Sequence, residues 1–233
     1  MATKARKAIG VVLCLVLVFA VSVVAERGTK TREAYAEILR NLLVNGSLPD
    51  GGEAELPITE YTQFAISDVD GDGKEELVLL YDPGVVAGEV GYIIGYDKDR
   101  KDTYIQLEEF PAFVFLENGN VRALCSHNQS YGEMWPYSLY QYLPEKDSYE
   151  KAGFVSAEDK ITLQLIGMEG QYPDDVDISQ TGTVYYIGTN GWGTEPMDES
   201  DFLKWLEENH GNGKEREISF LSLTEENIKE IER

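Results

Sequence analysis

The chain has 233 residues and a formal net charge of −22, because 42 Asp and Glu outnumber 20 Lys and Arg. A chain this acidic is not expected to bind nucleic acid through its phosphates or to bind anionic membranes. Its length is sufficient for one sizeable hydrophobic core.

The first 25 residues have the composition of a secretory signal peptide. Lys4, Arg6 and Lys7 form a basic start, residues 9–24 are mostly apolar, and Ala25 offers a cleavage point. That apolar run is shorter than the roughly 20 residues of a membrane span. We therefore predict cleavage after Ala25 and a secreted or extracellular protein, including one held at the cell surface. An uncleaved membrane anchor is the alternative.

Cleavage would change both the charge and the cysteine content of the chain. It removes three positive charges and no negative ones, which takes the net charge from −22 to −25. It also removes Cys14 and leaves Cys125 as the single cysteine. No intrachain disulfide could then form, so a hydrophobic core would have to stabilise the fold, with a metal ion as an additional contributor.

A helix is predicted over residues 29–46, followed by a connector rich in proline and glycine. Thr31 is the expected N-cap, and Asn45-Gly46 is the expected stop. One apolar stripe recurs at helical spacing through Tyr35, Ile38, Leu39, Leu42 and Leu43.

Residues 68–76 are the segment whose residue types and spacing indicate a specific chemistry, namely the binding of a metal ion. Calcium takes six to eight oxygen ligands, and a short loop supplies them from alternate residues as it folds around the ion. Gly73 would allow the sharp bend. We predict carboxylate ligands from Asp68, Asp70 and Asp72, a backbone carbonyl from Lys74 with its ammonium pointing outward, and closure by Glu76.

The flanks of this loop exclude an EF-hand. An EF-hand needs a ligating Glu at position twelve and a helix on each side, but the twelfth residue here is Leu79. Residues 61–66 and 77–81 are short, apolar and rich in strand-favouring types, which predicts a strand–loop–strand site within residues 67–77.

The loop resembles the calcium loops of FG-GAP and VCBS-type repeats, including those of small proteins secreted by Gram-positive bacteria. The matching residues are Asp68, Asp70, Asp72, Lys74 and Glu76, and Glu76 stands where Asp is common in those loops. The pattern occurs once, so the resemblance implies a structural Ca²⁺ site without implying a propeller. An acidic hairpin turn without a metal is the alternative, although three clustered carboxylates repel one another.

Short strands and turns are predicted after the loop, and helices return near the end. Asp198 or Ser200 would cap a helix carrying Phe202 and Trp205 that stops at Gly211, and Thr224 would cap a last helix. The predicted strands are residues 90–96, 103–107, 112–116, 121–125, 137–143, 149–155, 161–166, 183–187 and 218–221.

This order of elements predicts an α+β fold. A meandering antiparallel sheet would carry the N-terminal helix and the C-terminal helices on its faces. We find no convincing linker, so residues 26–233 are predicted to form one domain.

Other candidate sites have simpler explanations. Cys125 and His127 would share a strand face, but we identify no orienting group or oxyanion site, and no catalytic residue is assigned. The acidic clusters at residues 174–177 and 195–201 fit solvated loops and helix caps. Tyrosines and tryptophans at residues 131–142, and Trp192, fit sheet packing or an exposed platform for a ligand.

These observations favour a secreted calcium-binding protein that acts as a cell-surface or extracellular interaction module. Its partners would be calcium and an extracellular glycan or protein. The alternative is a carbohydrate-active hydrolase that uses paired carboxylates.

Overall fold

A computed structural model describes residues 29–85, 88–189 and 191–233. The predicted signal peptide, residues 1–25, lies outside them. The protein is α+β, with two antiparallel sheets, an N-terminal helix and C-terminal helices, which confirms the predicted fold class. The chain leaves the first sheet after four strands, forms the second sheet, and returns to the first sheet near the C-terminus.

Four α-helices are described. Helix α1 covers residues 29–45, and it ends where Gly46 takes a positive φ of 71°. Thr31 lies inside α1, so its predicted role as N-cap is wrong. The described part of the chain contains no helix with the length and apolar content of a membrane span. The remaining helices are α2 (Lys160–Leu165), α3 (Glu199–Glu208) and α4 (Glu225–Ile231).

Both C-terminal helices begin at predicted cap residues. The Asp198 side chain accepts a hydrogen bond from the Ser200 N–H at the start of α3. The Thr224 side chain accepts one from the Asn227 N–H at the start of α4. These contacts satisfy backbone donors that have no partner inside the helix.

The first sheet has five strands in the order β12-β1-β2-β3-β4. Strands β1 and β2 form a hairpin in which Ser67 pairs with Glu76, so residues 68–75 are its connecting loop. The strands of this sheet are β1 (Gln63–Ser67), β2 (Glu76–Tyr81), β3 (Val90–Asp97), β4 (Asp102–Glu109) and β12 (Leu221–Ser222).

The second sheet has seven strands in the order β10-β9-β8-β7-β6-β5-β11. Its long middle strands form the hairpin β7–β8, whose turn contains Asp147 with a positive φ of 50°. The strands of this sheet are β5 (Phe113–Leu116), β6 (Val121–Leu124), β7 (Tyr137–Leu143), β8 (Ser148–Asp159), β9 (Thr183–Gly188), β10 (Pro196–Met197) and β11 (Glu215–Arg216).

The sheets pack face to face between helices. Alternate residues of β2 show this most clearly, because Leu77 and Leu79 pack with α1 and α4 whereas Val78 packs against the second sheet. On the far side of the second sheet, Leu139 and Val155 pack with α3. Strand β2 is therefore covered on both faces, and nearly all its residues are buried.

The strand predicted at residues 161–166 is wrong, since most of that segment is helix α2. A strand would place Ile161, Leu163 and Leu165 on one face. In the helix, Leu163 is buried at 1% exposure while Ile161 and Leu165 are exposed. A short alternation of apolar residues does not distinguish these two arrangements.

The strand predicted at residues 218–221 overlaps the observed strand β12 only at Leu221. Residues 217–220 carry the chain from β11 in the second sheet to β12 in the first, without regular pairing. Ile218 and Phe220 nevertheless pack against the core between the sheets. Their alternating pattern reflects core packing within a connection.

Candidate metal centre

The β1–β2 loop is shaped by its own aspartates. Asp68 accepts hydrogen bonds from the N–H groups of Gly71, at 2.8 Å, and Gly73, at 3.1 Å. Asp70 accepts from the Asp72 N–H at 3.0 Å, and Asp72 accepts from the Lys74 N–H at 2.7 Å. Both glycines take positive φ, of 81° and 84°, which other residues adopt at a cost.

Three of the predicted ligands converge in this loop. Oxygens of Asp68, Asp70 and Glu76 lie within 4.8 Å of one another. Two oxygens on opposite sides of a calcium ion would be about 4.6–5.2 Å apart, because each calcium–oxygen distance is about 2.3–2.6 Å. The group consists of carboxylates, the ligand type that hard divalent cations prefer. The three carboxylates are therefore close enough to share one hard divalent cation.

Glu76 and Asp70 are buried without a cationic partner. Their exposures are 2% and 5%, and no described cation pairs with either side chain. The Glu76 carboxylate accepts one hydrogen bond, at 2.9 Å from the Val69 N–H. Burial, followed by the negative charge of Asp70, raises the pKa of Glu76 to about 9. Burial likewise raises the pKa of Asp70.

A second acidic group includes a residue that sequence reasoning did not select. Oxygens of Asp70, Asp72 and Asp147 lie within 4.8 Å of one another. Asp147 comes from the β7–β8 turn of the second sheet, and Asp70 is common to both groups. The predicted ligand Asp72 therefore groups with Asp70 and Asp147.

Asp147 has a full set of hydrogen-bond donors. Its Oδ1 accepts from Gln106 at 2.7 Å and Tyr142 at 2.8 Å, and its Oδ2 accepts from Tyr104 at 2.6 Å and Lys74 at 3.2 Å. Burial opposes ionisation of this carboxyl, but the hydrogen bonds from Tyr104, Tyr142 and Lys74 outweigh it and lower its pKa.

The Lys74 ammonium does not point away from the loop as predicted. Its Nζ contacts the carboxylates of Asp72 and Asp147. The pKa of Lys74 is raised, chiefly by its hydrogen bond with Asp72. The predicted ligand role of the Lys74 carbonyl stays a prediction.

Two buried polar groups beside the acidic cluster have no hydrogen-bond partner. Gln106 is 5% exposed and donates to Asp70 and Asp147, but its Oε1 accepts no hydrogen bond. The Tyr149 hydroxyl is also buried and unpaired. Burial, followed by the charges of Asp70 and Glu76, raises the pKa of Tyr149, which places this hydroxyl in the field of the cluster.

Neighbouring elements hold the loop in position. Helix α1 contributes Tyr35, whose hydroxyl donates to the Glu75 carbonyl at 2.8 Å, and Arg32, which forms two hydrogen bonds to the Glu75 carboxylate. Arg216 of β11 donates to the Asp68 carbonyl and to the Ser67 hydroxyl. Contacts from one helix and both sheets therefore meet at this loop.

Family models, curated proteins and solved structures give no match to the chain.

The other candidates engage in local contacts. Cys125 follows β6 half-buried, and burial raises the pKa of its thiol. His127 contacts the Ser126 hydroxyl instead of Cys125. In the acidic clusters, Asp177 accepts hydrogen bonds from Tyr172 and nearby backbone groups, and Asp198 caps α3. These carboxylates give no support to the hydrolase alternative.

Proposed function

We propose that the chain binds a structural calcium ion at the β1–β2 loop and acts as a secreted interaction module. Asp68, Asp70, Asp72 and Glu76 would supply carboxylate oxygens, and Lys74 would supply its carbonyl. The ion would keep the loop closed where the two sheets meet.

One observation carries the calcium proposal, namely the burial of Glu76 beside Asp70 without a positive charge. A buried carboxylate is costly unless a cation pairs with it or a proton neutralises it. At neutral pH, a divalent cation would neutralise both groups and replace the water they lose on burial. The unpaired Gln106 Oε1 and Tyr149 hydroxyl support the proposal independently, because a hydrated ion offers such groups new partners.

The types of ligand in the loop also favour calcium over zinc, copper or nickel. The two groups of potential metal ligands in the described residues consist of Asp and Glu alone. Zinc, copper and nickel prefer histidine or cysteine ligands, whereas calcium prefers carboxylate and carbonyl oxygens. The sequence resemblance of residues 68–76 to FG-GAP and VCBS-type calcium loops supports the same ion.

The calcium proposal is tested by thermal and urea unfolding of metal-stripped protein with and without added calcium. At a calcium concentration about 100 times Kd, binding adds about 2.7 kcal/mol of stability. For a chain of this size, that corresponds to a rise of roughly 5–10 °C in the melting temperature. An unchanged melting temperature would reject the site.

Asp70→Asn separates loss of the ion from general damage to the fold. We expect this variant to lose the calcium-dependent stabilisation without losing metal-free stability, because it removes a buried carboxyl whose pKa is raised by burial. Asp175→Asn is the matched control, because Asp175 is exposed and outside both acidic groups. It removes the same charge and should respond to calcium like the wild type. A full calcium response in Asp70→Asn would refute the ligand assignment.

Exposed aromatic side chains support the role of an interaction module. Trp135 and Trp192 are 45% and 47% exposed, and Tyr131 is 40% exposed. Flat aromatic faces of this kind suit contacts with extracellular glycans or proteins. Trp135→Ala and Trp192→Ala should each weaken binding to a glycan array. If both variants bind the array as the wild type does, the result would argue against this role.

The exported location rests on residues 1–25, and a mature N-terminus at Glu26 would support it.

A further inference from the structure

A basic cleft lies between the β3–β4 turn and the β7–β8 turn. Its volume is about 780 Å³, which falls in the range of small-molecule sites. Four acidic residues line it, but the cations outnumber them, in contrast to the chain as a whole. We call this cavity the basic cleft. Its six cations are Lys30, Lys74, Lys98, Arg100, Lys101 and Lys146.

Several of these cations are available to a ligand. Lys98 and Lys101 are exposed and form no ion pair with any described residue. Lys146 pairs with Glu150 at 3.1 Å, but both side chains are more than half exposed, and such surface pairs are weak. A ligand with higher charge density can therefore compete for these ammonium groups.

Two of the acidic lining residues are already satisfied. Asp97 accepts hydrogen bonds from the Arg100 guanidinium and from the N–H groups of Asp99 and Arg100. Asp147 accepts from four donors, as described above. Their negative charges are therefore partly compensated before any ligand enters, which leaves Asp99 and Glu145 to oppose an anion.

The wall of the basic cleft is well supported. The Tyr104 ring lies against Gly95, where an added Cβ would be 2.6 Å from the ring carbon that carries the hydroxyl. The Tyr104 hydroxyl donates to Asp147, and Tyr96 packs against the core beneath α1. A fixed wall lowers the conformational cost of binding.

We propose that the basic cleft binds a small polyanion with clustered oxyanion groups, of the phosphate type. Lysine ammonium groups act as point charges suited to phosphate oxygens, and Arg100 adds a planar donor. The acidity of the remaining chain does not prevent this. At about 0.1 M salt, charges farther than about 10 Å are largely screened. Asp72 lies closer than that, but its contact with the Lys74 ammonium partly compensates its charge.

This site is separate from the calcium proposal, although Lys74 and Asp147 belong to both surroundings. Its test uses the intact protein in buffer stripped of metal by a chelating resin, with sodium pyrophosphate as the probe. Binding by metal-free protein would support the cleft whatever the outcome for calcium.

The decisive comparison uses two double variants with the same charge change. Lys98→Gln/Lys101→Gln removes two cations from the cleft, and Lys204→Gln/Lys229→Gln removes two exposed cations from α3 and α4. By calorimetric titration, we expect the cleft variant to raise the Kd for pyrophosphate at least about threefold. The control variant should stay within about twofold of the wild type.

Three outcomes would overturn the proposal. They are no heat of binding at millimolar pyrophosphate, equal weakening in both double variants, and an affinity that does not fall as salt rises from about 0.01 M to about 0.1 M. Circular dichroism of each variant verifies that the fold is intact before the titration.

Discussion

Gly119 in the β5–β6 turn lies directly against the backbone of Asp70 in the β1–β2 loop. An added Cβ on Gly119 would be 2.8 Å from the Asp70 carbonyl carbon and 3.3 Å from its Cα. The β5–β6 turn of the second sheet therefore contacts the loop at Asp70, the residue that belongs to both acidic groups. Gly119 also has a φ of 86°, in the region that glycine adopts most easily.

Gly119→Ala should destabilise the protein and weaken calcium binding together. The left-handed conformation costs alanine about 1–2 kcal/mol, and the overlap with Asp70 adds about 1–3 kcal/mol. Gly51→Ala is the control, because Gly51 has a φ of 87° and an added Cβ there meets no atom within 4 Å. Urea unfolding should give a clearly larger loss for Gly119→Ala than for Gly51→Ala. Equal losses would contradict the contact.

The metal-free protein should lose stability as pH rises. The folded state raises the pKa of Glu76 from 4.5 to about 9, so it binds more protons than the unfolded chain between these values. Stability is therefore highest near or below pH 4.5, with respect to this group, and falls towards pH 9. The loss at pH 7 is of the order of 3 kcal/mol. Asp70 acts in the same direction, since its pKa is also raised.

Glu76→Gln tests this assignment. The variant should be more stable than the wild type in metal-free buffer at pH 8, and its unfolding free energy should vary less between pH 5.5 and pH 8.5. It should also lose the stabilisation by calcium. If the wild type shows no downward slope across this window, Glu76 is not a buried, unpaired carboxylate in solution.

Tyr35→Phe should remove the hydrogen bond from α1 to the loop. Tyr35 is fully buried, and its hydroxyl donates to the Glu75 carbonyl, so we expect a loss of about 1 kcal/mol. Tyr92→Phe is the control, because the Tyr92 side chain is 1% exposed and its hydroxyl forms no hydrogen bond with a described residue. Calcium affinity should fall in the first variant and not in the second. A smaller effect in Tyr35→Phe than in Tyr92→Phe would count against this anchor.

Asp147→Asn should destabilise the link between the second sheet and the loop. Lys74, Gln106, Tyr104 and Tyr142 would lose a charged acceptor, which costs about 1–3 kcal/mol at neutral pH. Asparagine tolerates the positive φ at this position, so backbone strain does not confuse the result.

The same contacts make the contribution of Asp147 dependent on pH. Its lowered pKa stabilises the fold above the ordinary carboxyl range, and this contribution is lost as pH falls.

Asp99→Asn is the control for Asp147→Asn and should change stability by less than about 0.5 kcal/mol, since Asp99 is exposed in a turn. A neutral effect of Asp147→Asn at pH 7 would reject the proposed link.

Local sequence was sufficient where neighbouring residues decide the structure. The strand–loop–strand arrangement at residues 67–77, the stop at Gly46 and the cap at Thr224 match the sequence predictions, and Asp198 is one of the two caps predicted for α3. Each depends on hydrogen bonds or backbone angles within a few residues. Thr31 and residues 161–166 were misassigned because a cap residue or a short apolar alternation fits more than one local structure.

Packing between the two sheets decided the rest of the candidate site. The burial of Glu76, the approach of Gly119 and the contact of Gln106 with Asp70, 36 residues away, depend on which faces the sheets cover. Asp147 reaches Lys74 across 73 residues of sequence. The pattern of residues 68–76 predicts a loop able to bind a cation, whereas its neighbours and its low exposure to water arise from contacts between residues far apart in the chain.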